Sequence, residues 1–386
     1  MENFEYCTPT RVLFGKGQLE KLPEKISAYG KKILLTYGGG SIKKIGLYDK
    51  VKGLLEGFEI YELAGIEPNP KLKSVEEGAK ICKEKGIEVV LAVGGGSVLD
   101  CSKAICAAAC SEANAWDLIT HKVTTKRTLP LVTVLTLSAT GSEYDWGAVI
   151  SKPDTNDKVG YIDEHLFPAV SFLDPQYTFS VSARQTAAGA ADIMNHVIEQ
   201  YFTSPSNMLA DGICESILKT VIYYAPIAVA DPDDYEARAQ LMWASSLGCN
   251  GIAGLGNGYA GWPCHSIEHA LSGYYDITHG VGLAIVTPRW MKHILNEKTV
   301  SRFVAYGLRV WNIDSSKTDF EIAEEAIQKT YDYFLSLQIP MTLKEVGIGE
   351  ERIGEMARHI SQNEGLENAW APLTQHDIEE ILKSCL

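Results

Sequence analysis

Along the first half of the chain, short apolar runs rich in β-branched residues alternate with longer stretches of helical periodicity. KKILLTY (Lys31–Tyr37), EVVLAV (Glu88–Val93) and LPLVTVLTL (Leu129–Leu137) read as strands buried on both faces. A turn of small residues follows each one: GGGS at Gly38–Ser41, GGGS at Gly94–Ser97, and SATGSE at Ser138–Glu143. Helical patterns follow the first two turns, around Lys43–Leu55 and through CSKAICAAAC (Cys101–Cys110). Strand, turn and helix repeated in this way predict a parallel α/β sheet. After about residue 180 the pattern changes, and Ala190–Phe202, Ala210–Tyr224 and Tyr235–Cys249 all read as helices. The expected organisation is an α/β, Rossmann-like domain over residues 1–180 and an all-helical domain over residues 181–386. The acidic DPDDYE (Asp231–Glu236) reads as a solvated helix start.

The length of 386 residues fits two domains. A formal net charge of −14 argues against nucleic acid or an anionic membrane as partner, because phosphate contacts need a basic surface. No apolar run reaches the ~18 residues of a transmembrane helix, and MENFEYCTPTRVLFG lacks the pattern of a signal peptide. The nine cysteines are scattered and form no CxxC, so they read as buried, reduced thiols of a cytoplasmic protein.

The glycine turns carry the first chemistry. Glycine lets the backbone approach a phosphate, and the helix that follows offers free N–H groups and a positive dipole end. Neither GGGS is GxGxxG, so the usual dinucleotide fingerprint is missing. All three turns nevertheless belong to the carboxyl edge of one sheet, where such folds bind ligands. A site for NAD usually has an acidic side chain for the ribose 2′-hydroxyl. Gly38, Gly39 and Ser41 offer none, with Lys43 and Lys44 close behind, which predicts NADP(H) in preference to NAD(H).

The second chemistry lies among the histidines. In AADIMNHVIEQYF, Asp192 and His196 stand four apart on one helix face. In CHSIEHALSGYYDITHG, His265 and His269 are again four apart, and His279 follows a loop. A carboxylate and imidazoles on mostly apolar helices are costly to bury without a partner. Three imidazoles and a carboxylate suit Fe²⁺ or Zn²⁺ better than Mg²⁺ or Ca²⁺. His265-Ser-Ile-Glu268-His269 also matches H-x-x-E-H, in which Glu268 would activate water for zinc hydrolysis, but that motif leaves the other ligands and the glycine turns without a role. His121, His165, His293, His359 and His376 stand alone, and packing accounts for them.

Together these residues resemble the iron-containing (group III) alcohol dehydrogenases, in the branch of butanol dehydrogenases and NADPH-dependent aldehyde reductases. FGKG (Phe14–Gly17), PNP (Pro68–Pro70), GGGSVLDCSKAI, ATGSE, LDP (Leu173–Pro175), AAGAADIMNHVIEQY and HSIEHALSGYYDITHG occur in the family's order. The resemblance implies a dehydroquinate synthase-like fold whose helical domain holds the metal. It implies Asp192, His196, His265 and His279 as metal ligands, with His269 beside the metal without binding it; four residues from a ligand, His269 is then placed to relay the substrate's proton. It implies a pyrophosphate on Gly95, Gly96 and Ser97 with Asp100 behind them, Thr136 and Ser138 at the adenine, and Thr140 and Ser142 near the ribose or phosphate. Asn69 would approach the adenosine ribose and Lys158 the nicotinamide ribose. A homodimer acting on a small alcohol or aldehyde is also implied.

Two departures stand out. The branch commonly reads GSExN and then a small residue, whereas this chain has Gly141-Ser142-Glu143-Tyr144-Asp145-Trp146. The resemblance would put Asp145 and Trp146 near the nicotinamide, where they would narrow or polarise the substrate pocket. VSARQT (Val181–Thr186) lacks a proline common near Ser182. The alternatives kept open are a glycerol- or polyol-type dehydrogenase on the same scaffold, and a nucleotide- or metal-binding protein without catalysis.

Overall fold

The computed structural model describes all residues from Met1 to Leu386. Eight strands occur: β1 (Arg11–Phe14), β2 (Lys32–Tyr37), β3 (Glu59–Leu63), β4 (Val89–Gly94), β5 (Leu131–Leu135), β6 (Gly147–Lys152), β7 (Asp157–Ile162) and β8 (Val170–Leu173). The first six helices lie among them: α1 (Leu22–Ser27), α2 (Ser41–Lys44), α3 (Leu47–Leu54), α4 (Leu72–Lys85), α5 (Gly96–Ala109) and α6 (Ala115–Ile119). Nine follow: α7 (Ala183–Tyr201), α8 (Met208–Ala230), α9 (Tyr235–Cys249), α10 (Pro263–Tyr275), α11 (His279–Ile294), α12 (Val300–Arg309), α13 (Asp319–Ser336), α14 (Ile353–Asn363) and α15 (Gln375–Ser384). The chain forms two compact units. A sheet unit comprises Cys7–Ser182 with Asp231–Asn250, and a helical unit comprises Met1–Tyr6, Ala183–Ala230 and Gly251–Leu386.

In the sheet unit, six parallel strands run in the order β1-β8-β5-β4-β2-β3, and β6 and β7 form a separate antiparallel hairpin. β4 and β5 are buried at every position, as strands covered on both faces must be. Alternate residues serve opposite cores. Leu34, Val90, Ala92, Leu131 and Leu135 pack with Val75 of α4 and Ile105 of α5. Ile33, Leu35, Val89, Leu91, Val132 and Val134 pack with Ile26 of α1 and Val51 of α3. Each fully buried aliphatic side chain contributes about 1.5–3 kcal/mol relative to exposure. Cys101 and Cys106 are buried on α5, and burial lifts the Cys101 thiol to about 12, so they pack as small apolar side chains.

The segment Gly141–Gly147 is fastened to three elements of this unit. Lys103, fully buried on α5, places its ammonium 2.5 Å from Asp145 Oδ1 and also donates to the carbonyls of Asp145 and Gly147. Ser171 on β8 donates to the Glu143 carbonyl at 2.6 Å. Ser246 on α9 donates to Glu143 Oε1 at 2.5 Å. Trp243 of α9 lies against Phe14 and Tyr144, with ring centroids 6.0 and 5.9 Å away. These contacts place α9 with the sheet, although its sequence neighbours α8 and α10 belong to the helical unit. Its start is as read, with Asp234 accepting the Ala237 N–H at 2.8 Å.

The expectation that Asp145 polarises the substrate pocket is corrected here. The Asp145 carboxylate pairs with Lys103 and the Gly147 N–H, so it balances a buried charge and does not polarise a pocket. Trp146 packs on Phe167 with centroids 5.4 Å apart.

In the helical unit, α8 is long and apolar enough by composition to cross a membrane, contrary to the expectation from the sequence that no run is. Its buried Asp211 is committed to the fold. Asp211 accepts from both terminal nitrogens of Arg302 on α12, at 2.8 and 2.9 Å, and that guanidinium also stands over the Tyr201 ring.

Burial pushes the Glu143 carboxyl from its ordinary 4.5 up to about 7. The folded value lies above the unfolded one, so this stabilisation is full below about pH 4.5 and is lost as the pH rises through 7. Glu143→Gln is expected to gain stability relative to wild type between pH 5 and pH 8, by about 3 kcal/mol at most. Urea unfolding at the two pH values measures this. A stability difference that does not change with pH contradicts a buried neutral carboxyl.

Candidate metal centre and cofactor turns

The metal-type residues all fall in the helical unit. On α7, Asp192, His196 and Glu199 stand at i, i+4 and i+7, one stripe of the helix, and all three are buried. On α10, Pro263 occupies the first helical position, where its missing N–H costs nothing, and the helix presents His265, Glu268 and His269. His279 opens α11 directly after its N-cap, Thr278. Helices α7 and α11 approach closely. A Cβ on Gly280 would lie 2.0 Å from the Ala188 carbonyl oxygen, so no larger residue fits. Asn195 on α7 accepts from Thr287 on α11 and donates to the Ala191 carbonyl, which ties the pair in a second place.

This packing brings Asp192, His265 and His279 together, with one ligand atom of each within 4.8 Å of the others. Asp192 Oδ1 is 3.6 Å from His196 Nδ1, 3.9 Å from His265 Nε2 and 3.6 Å from His279 Nε2. These separations exceed hydrogen bonds. For Asp192, His265 and His279 they approximate the edges of a coordination sphere, since two ligands about 2.1 Å from a tetrahedral cation sit about 3.4 Å apart; His196 approaches Asp192 but lies outside that mutually close trio. Asp192 Oδ1, His196 Nδ1 and His265 Nε2 are buried polar atoms with no hydrogen-bond partner. Unpaired polar atoms of this kind are costly unless something joins them. An anionic oxygen among imidazole nitrogens fits a divalent cation of the Fe²⁺ or Zn²⁺ type.

The outer nitrogens of two histidines are held by carboxylates that sequence reasoning missed in this role. His265 Nδ1 pairs with Glu199 Oε2, and Glu199 Oε1 also accepts the backbone N–H groups of Cys264 and His265, at 2.6 and 3.3 Å. His279 Nδ1 pairs with Glu268 Oε2, while Ser272 Oγ donates to Glu268 Oε1. Carboxylates in this position fix the tautomer and turn Nε2 toward the centre. The spacing of Glu199 from Asp192 and His196 was a usable signal. The sequence gives Glu268 a role only through the H-x-x-E-H match, as the base of a hydrolase. Both its oxygens are engaged and its side chain is fully buried, which removes it as an activator of water.

The charges follow from this arrangement. Burial alone raises the Asp192 carboxyl, but His196, His279 and His265 outweigh it and hold the group well below the ordinary carboxylate range. Burial pushes the His196 imidazole down to about 3. For His265, burial acts downward and the Glu199 carboxylate overrides it, lifting the ring to about 9. His269 stands beside the trio, partly exposed, with its ring centroid 6.3 Å from that of His265 and 5.8 Å from that of His279.

The cofactor-type residues all fall in the sheet unit. β5, β4 and β2 are neighbours, so Thr136 and Ser138, Gly95–Ser97, and Gly38, Gly39 and Ser41 line up after successive strand ends. Gly96 opens α5, and a Cβ there would meet Thr140 at 2.5 Å, so glycine is what lets the β5 loop lie on the helix N-terminus. Asn69, buried with φ 49, precedes α4, and Lys158 lies on the β6–β7 hairpin, opposite Ser151. Two residues are turned inward. Ser142 is 1% exposed and donates to Asp100 Oδ1 at 2.6 Å, while Asp100 Oδ2 accepts the Val149 N–H at 2.9 Å. In this arrangement they brace the turn from beneath.

Gly280→Ala is expected to lower stability by about 1–3 kcal/mol through overpacking of α7 against α11. The midpoint of urea unfolding should fall at an unchanged slope. An unaltered midpoint contradicts the close approach.

Comparison with known proteins shows the family. The model of the iron-containing alcohol dehydrogenases matches residues 9–175, and that of the C-terminal part of the Fe-containing alcohol dehydrogenase family matches residues 186–386. NADH-dependent butanol dehydrogenase A of Clostridium acetobutylicum is 49% identical, over 99% of both chains. The NADPH-dependent aldehyde reductase YqhD of Escherichia coli is 38% identical, over 94% of both chains. Among solved structures, the NADH-dependent butanol dehydrogenase A of Thermotoga maritima matches with a TM-score of 0.95 at 37% identity, covering 100% of this chain and 99% of that one. The chain belongs to the iron-containing alcohol dehydrogenase family.

Proposed function

We propose that this alcohol dehydrogenase interconverts small primary alcohols and aldehydes, using a nicotinamide dinucleotide and one divalent cation held by Asp192, His196, His265 and His279. The observation that carries the reading is the convergence of unpartnered, buried Asp192 Oδ1 and His265 Nε2 with His279 Nε2. When bound, the cation supplies Lewis acidity toward a carbonyl oxygen and the nicotinamide supplies or takes the hydride. Glu199 and Glu268 keep the Nδ1 sides of His265 and His279 occupied, so that their Nε2 lone pairs face the centre. His269, partly exposed beside His279, exchanges the substrate oxygen's proton with water. Iron gives the family its name, and Zn²⁺ suits the same donors. A homodimer in the cytoplasm belongs to the same proposal.

For the cofactor, the proposal is a preference for NADP(H). Its support is the turn Gly38–Ser41, which has no carboxylate to repel a 2′-phosphate. Glu62, on the neighbouring strand β3, is occupied by Tyr37, Tyr48 and Lys52 at 2.9, 2.9 and 3.0 Å. The relatives point both ways: the Clostridium and Thermotoga enzymes are described as NADH-dependent, the Escherichia coli reductase as NADPH-dependent. A higher kcat/KM with NADPH than with NADH is expected for butanal reduction, and the reverse order contradicts the reading of the turn.

His265→Ala and Asp192→Ala are expected to abolish turnover and to leave the protein folded, with NADPH fluorescence titration unchanged. Full activity in either variant at full metal occupancy contradicts the ligand assignment.

A further inference from the structure

Of the histidines around Asp192, His196 is the one whose ring no carboxylate secures by a hydrogen bond. Glu199 pairs with Nδ1 of His265 and Glu268 with Nδ1 of His279. His196 has no such carboxylate: its Nδ1 is the nitrogen that faces Asp192 Oδ1, from 3.6 Å and without a hydrogen bond, and no carboxylate is paired with the other side of the ring. An imidazole without that support has a broad, two-fold choice of ring orientation, and a metal ligand needs one of them. Packing is what remains to select it.

Two rings touch His196. It stacks on His265, with centroids 4.6 Å apart and planes 28° from parallel. Trp262 stands crosswise to both members of this stack, its centroid 5.3 Å from His265 at 82° and 6.1 Å from His196 at 68°. T-shaped contacts of this kind define ring orientation as well as separation. The backbone at Trp262 is unusual for so bulky a residue: it caps α10 in the left-handed conformation, with φ 52 and ψ 46. Unfavourable conformations of this sort persist where surrounding structure imposes them, and they cluster at functional sites. Here Pro263 follows directly, and the Trp370 N–H reaches the Ala260 carbonyl at 3.4 Å to tether the approach to the turn.

We propose that Trp262 is a positioning residue that wedges the stacked imidazoles of His196 and His265 and fixes His196 for the cation. It does for His196 by packing what Glu199 does for His265 by hydrogen bonding. The inference rests on the ligand set proposed above.

The test compares full-length wild type with Trp262→Phe, Trp262→Leu, Trp262→Ala and His196→Ala, each stripped of metal. Zn²⁺ affinity is read by competition with a chromogenic chelator, and Co²⁺ absorption bands report ligand geometry. Trp262→Ala and Trp262→Leu are expected to bind Zn²⁺ about 10–100-fold more weakly than wild type, the range for losing support behind a ligand. Trp262→Phe, which keeps an aromatic edge, is expected to restore most of the affinity and the wild-type Co²⁺ spectrum. Thermal unfolding of the metal-free proteins separates this effect from general destabilisation. Should Trp262→Ala not fold, Trp262→Leu against Trp262→Phe carries the comparison. Wild-type affinity in both Leu and Ala variants overturns the proposal, including the case in which only aldehyde chain-length preference changes and the indole is a substrate wall. Equal Zn²⁺ affinity in wild type and His196→Ala overturns the ligand set itself, which is a different failure.

Discussion

The helical unit buries a carboxylate among imidazoles and joins it to none of them by a hydrogen bond. Asp192 Oδ1 faces nitrogens of His196, His265 and His279 from 3.6 to 3.9 Å, too far for hydrogen bonds and close to the spacing of ligands about one ion. Left alone, such a cluster would cost several favourable contacts in a low-dielectric interior. The proposed divalent cation would join these groups in one coordination sphere. Much of the surrounding structure serves this point. The small residues of α7 admit α11, Gly280 admits the Ala188 carbonyl, and Glu199 and Glu268 turn two rings inward.

The sheet unit is organised around a different constraint, the need to bring several chain segments to one edge of a parallel sheet. Adjacent strand ends supply Gly38–Ser41, Gly95–Ser97 and Thr136–Ser138. Gly96 gives Thr140 room beside the start of α5, and Asp100, Ser142, Lys103 and Asp145 fasten the layer below. The charges there are buried but matched: Lys103 finds three acceptors, and Asp100 and Glu143 are eased by burial toward neutrality. A rigid floor of this kind would preorganise the turns for the proposed dinucleotide phosphate without committing a side chain to it.

Local patterns made the strands, the turns and the long helices legible in the sequence, since period and punctuation are carried by neighbouring residues. The pairs Asp192/His196 and His265/His269 were legible for the same reason: four residues make one helix face. What was not legible depends on contacts between distant segments. Glu199 and Glu268 were visible as residues, but their partners lie on other elements. Asp145 was expected beside a nicotinamide because resemblance alone placed it, whereas the amine that claims it, Lys103, sits 42 residues earlier on α5. The affiliation of α9 with the sheet follows from Ser246 and Trp243 meeting Glu143, Phe14 and Tyr144, which no window of sequence contains.

The most direct test of the account is X-ray absorption spectroscopy at the metal edge of protein purified anaerobically, with metal content measured on the same sample. The account predicts one iron or zinc per chain, surrounded by nitrogen and oxygen at about 2.0–2.2 Å, with the outer-shell scattering of three imidazoles. A chain that binds no stoichiometric metal, or a metal without imidazole scattering, would contradict it.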